Sequence, residues 1–282
     1  MVTHMLTDIK LERHAVPYAP VWIPGRERTG NVLVEGGPGT GKTYCLKTML
    51  HQDIQAMVDG QQDCRMIVIS PEGSMCDIED CTSRLQVDWI KIYSRALHVS
   101  SPYEKAFFSA LRNLLMVSPD DSQSTCDRVL AEYGLLKPFL YCSRQNTKIV
   151  SLYTGYQEID TFIGAAFVHY LACNMSKITM KPTILYVDEL HRYAAYAPHA
   201  VAKLFECGAE HGISLIAAVQ STEQLNTAES PCLSDLVNRN TRFHVKMRTS
   251  EDRDTLRLAP NQALWITSTT RHVIEVSPQF RN

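Results

Sequence analysis

The sequence predicts a three-layer α/β fold with a mostly parallel central sheet. Three observations carry this: short apolar runs that alternate with helical patterns from residue 31 onward, a glycine loop between the first run and the first helical pattern, and paired acids ending a later run. The runs are N-V-L-V-E from 31, R-M-I-V-I-S from 65, K-I-V-S-L-Y from 148, T-I-L-Y-V-D from 183, S-L-I-A-A-V-Q from 214 and T-R-F-H-V-K-M from 241. They are nearly continuously apolar, as strands buried on both faces of a parallel sheet are. After the glycine loop, Leu46, Met49, Leu50, Ile54 and Met57 recur at helical spacing.

Two segments stand outside this repeat. Residues 1–30, with Pro17, Pro20 and Pro24, read as an extended arm or hairpin leading into the first strand, and residues 31–282 as one nucleotide-binding domain. Within that domain, about 104–141 reads as a helical insertion, from E-K-A-F-F-S-A-L-R-N-L-L-M and T-C-D-R-V-L-A-E-Y-G-L-L. Beyond residue 241 the chain reads as strand, short helix (E-D-R-D-T-L-R-L) and strand (H-V-I-E-V), which places antiparallel strands toward the C-terminus.

At 282 residues and 45% hydrophobic, the chain can bury a sizeable core. Lys plus Arg total 28 against 30 acids, a formal charge of −2, so a whole-chain basic signal for nucleic acid is excluded and any such contact is local. The 9 cysteines are scattered and odd in number, which fits reduced thiols in a cytoplasm. Cys76 and Cys81 lie close in sequence without a second pair or a nearby histidine, so no metal ligand is expected from cysteine. The first ten residues carry no apolar core of a secretory leader. The longest apolar stretch, 164–173, falls far short of the ~20 residues of a membrane helix and contains His169. A cytoplasmic location without a membrane span is expected.

The stretch Gly36-Gly37-Pro38-Gly39-Thr40-Gly41-Lys42-Thr43 satisfies G-x-x-x-x-G-K-[ST] between a strand and a helix, the context in which that motif cradles phosphates. Backbone N–H groups and the helix N-terminus hold the anion, Lys42 reaches the β and γ phosphates, and Thr43 offers its hydroxyl to Mg²⁺. ATP and Mg²⁺ are the expected ligands. Asp188 and Glu189 end the run T-I-L-Y-V-D-E. A strand of this kind is expected beside the first one, with Asp188 holding the Mg²⁺ shell and Glu189 accepting a proton from attacking water; the alternative is that the two acids cap the next helix. No N-K-x-D segment is present, which disfavours a switch GTPase. Gln220 ends the run S-L-I-A-A-V-Q, where it could bond the γ-phosphate or the lytic water, or simply be a polar residue at a helix entry.

With these pieces assembled, the chain resembles the HerA/FtsK superfamily of P-loop motor ATPases. The resemblance runs over most of 20–260: I-P-G-R-E-R-T-G-N-V-L-V-E-G-G-P-G-T-G-K-T, M-I-V-I-S-P-E-G-S-M, S-S-P-Y at 100–103, K-I-V-S-L-Y-T-G-Y-Q-E, V-D-E-L-H-R-Y, F-E-C-G-A-E-H-G-I-S-L-I-A-A-V-Q-S-T-E-Q-L and N-R-N-T-R-F-H-V-K-M-R-T-S-E-D. It implies a RecA-like sheet, a ring usually of six subunits, and movement of double-stranded DNA through its centre without sequence preference. Asp188 and Glu189 match the Mg²⁺ and catalytic acids, and Gln220 the sensor glutamine. Many relatives have Arg-Lys after the glycine of the G-A-E-H-G segment; here Ala209 and Glu210 follow Gly208. Arg239, Arg242 and Lys203 are left as candidates to complete a neighbouring subunit's site, each equally readable as a solvated surface charge. R-A-L-H-V near 95 and K-M-R-T near 246 are candidate DNA contacts.

The chain is little more than the motor, which resembles the packaging ATPases that drive genomes into the preformed capsids of membrane-containing icosahedral viruses. A capsid vertex is then the partner, and host cytoplasm or the virion vertex the location. Two alternatives are a motor for a conjugation or secretion channel, with membrane channel proteins as partners, and an AAA+-type assembly factor.

Overall fold

The computed structural model describes residues 9–13, 21–23, 30–70, 102–137, 139–140, 149–152, 157–178, 181–249, 255–259 and 262–276. Cys76, Cys81, the P-E-G-S-M stretch at 71–75, the basic stretch near 95 and the arm prolines lie outside them.

A ten-stranded sheet runs through the molecule in the order β2-β1-β10-β9-β8-β3-β7-β6-β4-β5. Its strands are β1 (Ile9–Arg13), β2 (Val21–Ile23), β3 (Asn31–Glu35), β4 (Arg65–Ile69), β5 (Ile149–Leu152), β6 (Thr183–Val187), β7 (Ile213–Val219), β8 (Thr241–Met247), β9 (Gln262–Ile266) and β10 (Arg271–Glu275). From β8 to β5 all pairings are parallel; β8–β9, β9–β10, β10–β1 and β1–β2 are antiparallel. The fold is α/β and RecA-like.

β3, β4, β6 and β7 are buried at every position. Successive residues point to opposite faces, so two cores form. On one side Val32, Val34, Met66, Val68, Ile184, Tyr186, Ile216 and Ala218 meet Leu46, Met49, Leu50 and Ile54 of α1 (Lys42–Val58). On the other, Leu33, Ile67, Ile69, Leu185, Val187, Leu215 and Ala217 meet α4 (Gln157–Cys173), α6 (Leu190–Ala194) and α7 (Pro198–Cys207). Between α4 and α6 in sequence lies the short α5 (Met175–Ile178). The insertion supplies α2 (Pro102–Leu115) and α3 (Pro119–Glu132), with Ser118 capping α3 by accepting from the Asp120 N–H at 3.4 Å. Leu111, Leu114, Leu115, Cys126, Val129 and Leu130 join the α4 side, so these helices extend that core instead of enclosing their own.

Three expectations are corrected. β6 does not lie beside β3: β7 separates them. Strand β9 was not foreseen, and where a short helix was expected Thr255–Arg257 form a turn, the preceding residues lying outside the described set. β8 alternates between buried and more exposed positions: it is the strand at which the sheet turns from parallel to antiparallel, and antiparallel strands commonly bury one face only.

Polar side chains pin the layers. Asn31 donates from Nδ2 to the carbonyls of Phe205 and Asn240, both at 2.9 Å, and its Oδ1 accepts from the Leu215 N–H at 3.4 Å, tying the start of β3 to α7, β7 and the end of α8 (Leu233–Arg239). Tyr186 Oη donates to Asp53 Oδ2 at 2.6 Å, fastening α1 to β6.

His244, opposite Leu33 of β3 and Ile266 of β9, has an Nε2 closed off from solvent without a partner, and burial pulls its pKa down to about 4. The fold therefore holds a neutral imidazole. Its contribution is complete above the unfolded value of about 6.5 and fades as pH falls through about 4, by up to about 3 kcal/mol. Thermal unfolding followed from pH 7 to 4 should show this loss, and His244→Gln should flatten the profile over that window; equal slopes would remove His244 from the account.

Candidate active site

The carboxyl ends of β3, β7 and β6 lie side by side, and each delivers one part of the site. Beyond β3 the loop is short and needs left-handed backbone at Gly39 (φ 72°) and Gly41 (φ 98°), which costs an L residue with a side chain about 1–2 kcal/mol. Gly36 is needed for space: a Cβ there would sit 2.7 Å from both Met247 Cβ and Thr40 Oγ1. The Gly36 N–H donates to the Val219 carbonyl at 3.2 Å and the Gly37 N–H to the Arg248 carbonyl at 3.4 Å, so the ends of β7 and β8 hold the loop. Thr40 closes it from within, its Oγ1 donating to the Gly37 carbonyl at 2.8 Å. Pro38 and Gly39 form the exposed tip.

No side chain caps the N-terminus of α1, whose first N–H groups and dipole therefore face the loop. Lys42 is 6% exposed, and its Nζ donates to the Gly37 carbonyl at 3.1 Å. Burial lowers its pKa, partly opposed by Glu189 and Asp188. A buried ammonium beside uncapped amides is a place for a polyanion.

Thr43 Oγ1 donates to Asp188 Oδ2 at 2.8 Å, bridging α1 and the end of β6 across the width of β7. A hydroxyl and a carboxylate so placed are the oxygen donors that Mg²⁺ takes beside a nucleotide's phosphates, and the residues fit that ion. Asp188 is fixed by its own N–H, which donates to the Ile69 carbonyl at 3.0 Å, and by accepting from the Glu189 N–H at Oδ1, 3.1 Å.

Glu189 has φ 53° and ψ 48°, the one left-handed non-glycine among the described residues. Such strain, roughly 1–3 kcal/mol, persists where surrounding bonds enforce it, and here the Glu189 carbonyl accepts from the Arg192 N–H at 2.9 Å. Glu189 is the N-cap residue of α6 by position, yet its side chain makes no capping bond, so the helix-cap reading of the acid fails. Its Oε2 instead accepts from Gln220 Nε2 at 3.3 Å and lies 3.4 Å from His191 Nδ1. Burial lowers the His191 pKa against the pull of Glu189, so at neutral pH the imidazole is uncharged and leaves the carboxylate unneutralised.

Two residues here were missed by reading motifs. His191 is one. Glu35, the last residue of β3, is the other: its Oε1 accepts from Thr222 N–H at 3.0 Å and Oγ1 at 3.3 Å, and its Oε2 lies 3.2 Å from Lys246 Nζ. It clamps the turn after Gln220 to the strand that starts the glycine loop. A polar residue closing an apolar run was the available signal. Lys246, a candidate DNA contact, is engaged by this clamp.

The remaining candidates lie elsewhere. Arg239 and Arg242 are exposed at the end of α8 and the start of β8, where Thr241 stands level with Asn31. They flank the amino end of the parallel strands, a strand length of about 16 Å from the loop. The Arg242 guanidinium lies over the Phe243 ring at 5.7 Å. Ala209 and Glu210, in a turn before β7, belong to the same end. Lys203 is paired with Asp120 of α3 at 2.5 Å.

The fold and this arrangement define a P-loop NTPase fold. No protein-family model and no curated protein sequence matches the chain. Its structural neighbours are FtsK/HerA-type P-loop ATPases. VirB4 of Thermoanaerobacter pseudethanolicus is 14% identical with a TM-score of 0.56, over 95% of this chain and 96% of that one. The bacterial conjugative coupling protein TrwB is 12% identical with a TM-score of 0.54, over 96% and 89%. Thermomonospora curvata EccC (ATPases 2 and 3) is 11% identical with a TM-score of 0.54; 95% of this chain is covered, but it spans only 40% of that one.

Lys42→Ala should weaken binding of a fluorescent ATP analogue, whereas Glu189→Gln should bind it normally and hydrolyse ATP at least about 10²-fold more slowly in single turnover. Wild-type turnover in Glu189→Gln would take that acid out of the chemistry.

Proposed function

We propose that the chain is an ATP-driven motor that moves double-stranded DNA through a ring of its own copies. The observation that carries this is the connected line Thr43, Asp188, Glu189 and Gln220 across three adjacent strand ends, on a fold shared with motor ATPases. TrwB has been solved with ADP and Mg²⁺, at a TM-score of 0.50 and 14% identity, which supports the same ligands here. Bound Mg²⁺ would neutralise phosphate charge between Thr43 and Asp188. Lys42 and the loop amides would orient the phosphates, Glu189 would accept the proton of the attacking water, and Gln220, hydrogen-bonded to Glu189, would hold that water in line.

Hydrolysis in a ring is completed from next door. Arg239 and Arg242 sit at the end of the sheet away from their own glycine loop, so any phosphate they meet belongs to a neighbouring subunit. The first reading of the task is packaging of a genome into a capsid, carried by the resemblance of the sequence. A conjugation or secretion motor is the second, favoured by the likeness to the coupling protein TrwB and to VirB4.

Steady-state hydrolysis measured with and without long linear DNA, beside sizing in a non-hydrolysable analogue, tests the motor. DNA should stimulate turnover severalfold, and a ring of about six chains should form. Hydrolysis indifferent to DNA from a monomer would favour an assembly factor. For the arginines, a double variant Arg239→Ala/Arg242→Ala and Glu189→Gln should each be inactive alone and active when mixed; a mixture that stays inactive would place the arginines outside the site. Co-purification with a capsid vertex or with a membrane channel separates the two tasks.

A further inference from the structure

Away from the nucleotide site, α3 and α4 press together two thiols and an imidazole. Cys126 of α3 is fully buried, as is His169 of α4; Cys173, one turn beyond His169 on the same face, is 7% exposed. Their ligand atoms lie within 4.8 Å of one another. Ser122 is 2% exposed, with its Oγ 3.0 Å from His169 Nε2 and 3.7 Å from Cys173 Sγ.

We propose that Cys126, His169 and Cys173 form a structural Zn²⁺ site that staples the inserted helices to the α4 side of the ATPase core, with Ser122 or a water as the fourth ligand. Two thiolates and a neutral imidazole are a tetrahedral zinc donor set, and their two negative charges balance the ion in an interior that tolerates no net charge. Zinc at about 2.3 Å from sulfur and 2.0 Å from nitrogen sets neighbouring donors about 3.5–3.8 Å apart, so closing from the observed spread asks for side-chain shifts of about 1 Å.

As plain core the cluster is expensive. His169 Nδ1 is buried without a hydrogen-bond partner. A disulfide between the thiols would use neither His169 nor Ser122. A catalytic cysteine–histidine pair is disfavoured because His169 is fully buried and does not line the cavity that Cys173 reaches. An ion has a way in: Cys173 also lines a cavity of about 560 Å³, shared with Gln123, His199 and Lys203, between α3, α4 and α7.

The test is metal content of the full chain, expressed with added Zn²⁺ and purified under reductant, then Co²⁺ substitution. About one zinc per chain is expected, together with thiolate-to-cobalt charge-transfer absorption in the Co²⁺ form. Both should be lost in Cys126→Ser/Cys173→Ser and kept in Cys207→Ser/Cys232→Ser. Should the first double variant fail to fold, the wild-type Co²⁺ spectrum decides: two-thiolate charge transfer saturating at one equivalent supports the site, and its absence overturns it. Zinc retained by a folded Cys126→Ser/Cys173→Ser chain, or a Cys126–Cys173 disulfide found by mass spectrometry in the chain as isolated, also overturns it.

Discussion

The position of β7 between β3 and β6 is the constraint from which the candidate site follows. Parallel strands end on one edge of the sheet, so three successive strands present three loop starts in a row, about 4.8 Å apart. The outer two carry the glycine loop and the acids, leaving room of one strand width between them. Thr43 and Asp188 span that width with a single hydrogen bond, and the residue at the tip of the middle strand, Gln220, is left bonded to Glu189. Were β6 adjacent to β3, the glutamine would have no place between the acid and the loop.

This geometry makes Gln220 a point of coupling. Its strand ends at Val219, whose carbonyl holds the first amide of the glycine loop, and the turn that follows it is held by Glu35 at the other end of that loop's strand. A ligand that shifts the loop therefore acts on Gln220 from both sides, through backbone and through the Glu35 carboxylate. Asn31 performs the same service at the opposite end of β3, where it collects α7, α8 and β7. Strand β3 is thus fixed at both ends by buried polar groups and along its length by both cores.

What was legible in the sequence was local. The loop 36–43 and the acids 188–189 are contiguous, and their chemistry needs only a strand before and a turn after. The apolar runs gave β3, β4, β6 and β7 because burial on both faces leaves no alternation to misread. Strand order is not local: nothing in the run S-L-I-A-A-V-Q says that it inserts between the other two. β9 hid because its burial alternates and only Ala263 and Trp265 reach the core, in a segment that follows charged residues. Cys126 and His169 are distant in sequence and meet only because the insertion packs on α4, so a search for paired cysteines stopped at Cys76 and Cys81.

The strain at Glu189 fits the same logic. An extended residue there could bring its side-chain oxygen over the helix N-terminus as an ordinary cap. The left-handed turn forgoes that cap and carries the carboxylate to Gln220, while the Asp188 side chain takes over the amide that Glu189 would otherwise leave unbonded. Adjacent acids at one strand end are thereby sent to different tasks, Asp188 toward the loop's threonine and Glu189 toward the middle strand. His191, its pKa lowered by burial, stands beside that second carboxylate as a neutral imidazole. An acid that has given up its cap and accepts a single hydrogen bond from Gln220 is one whose remaining hydrogen-bonding capacity is available to water.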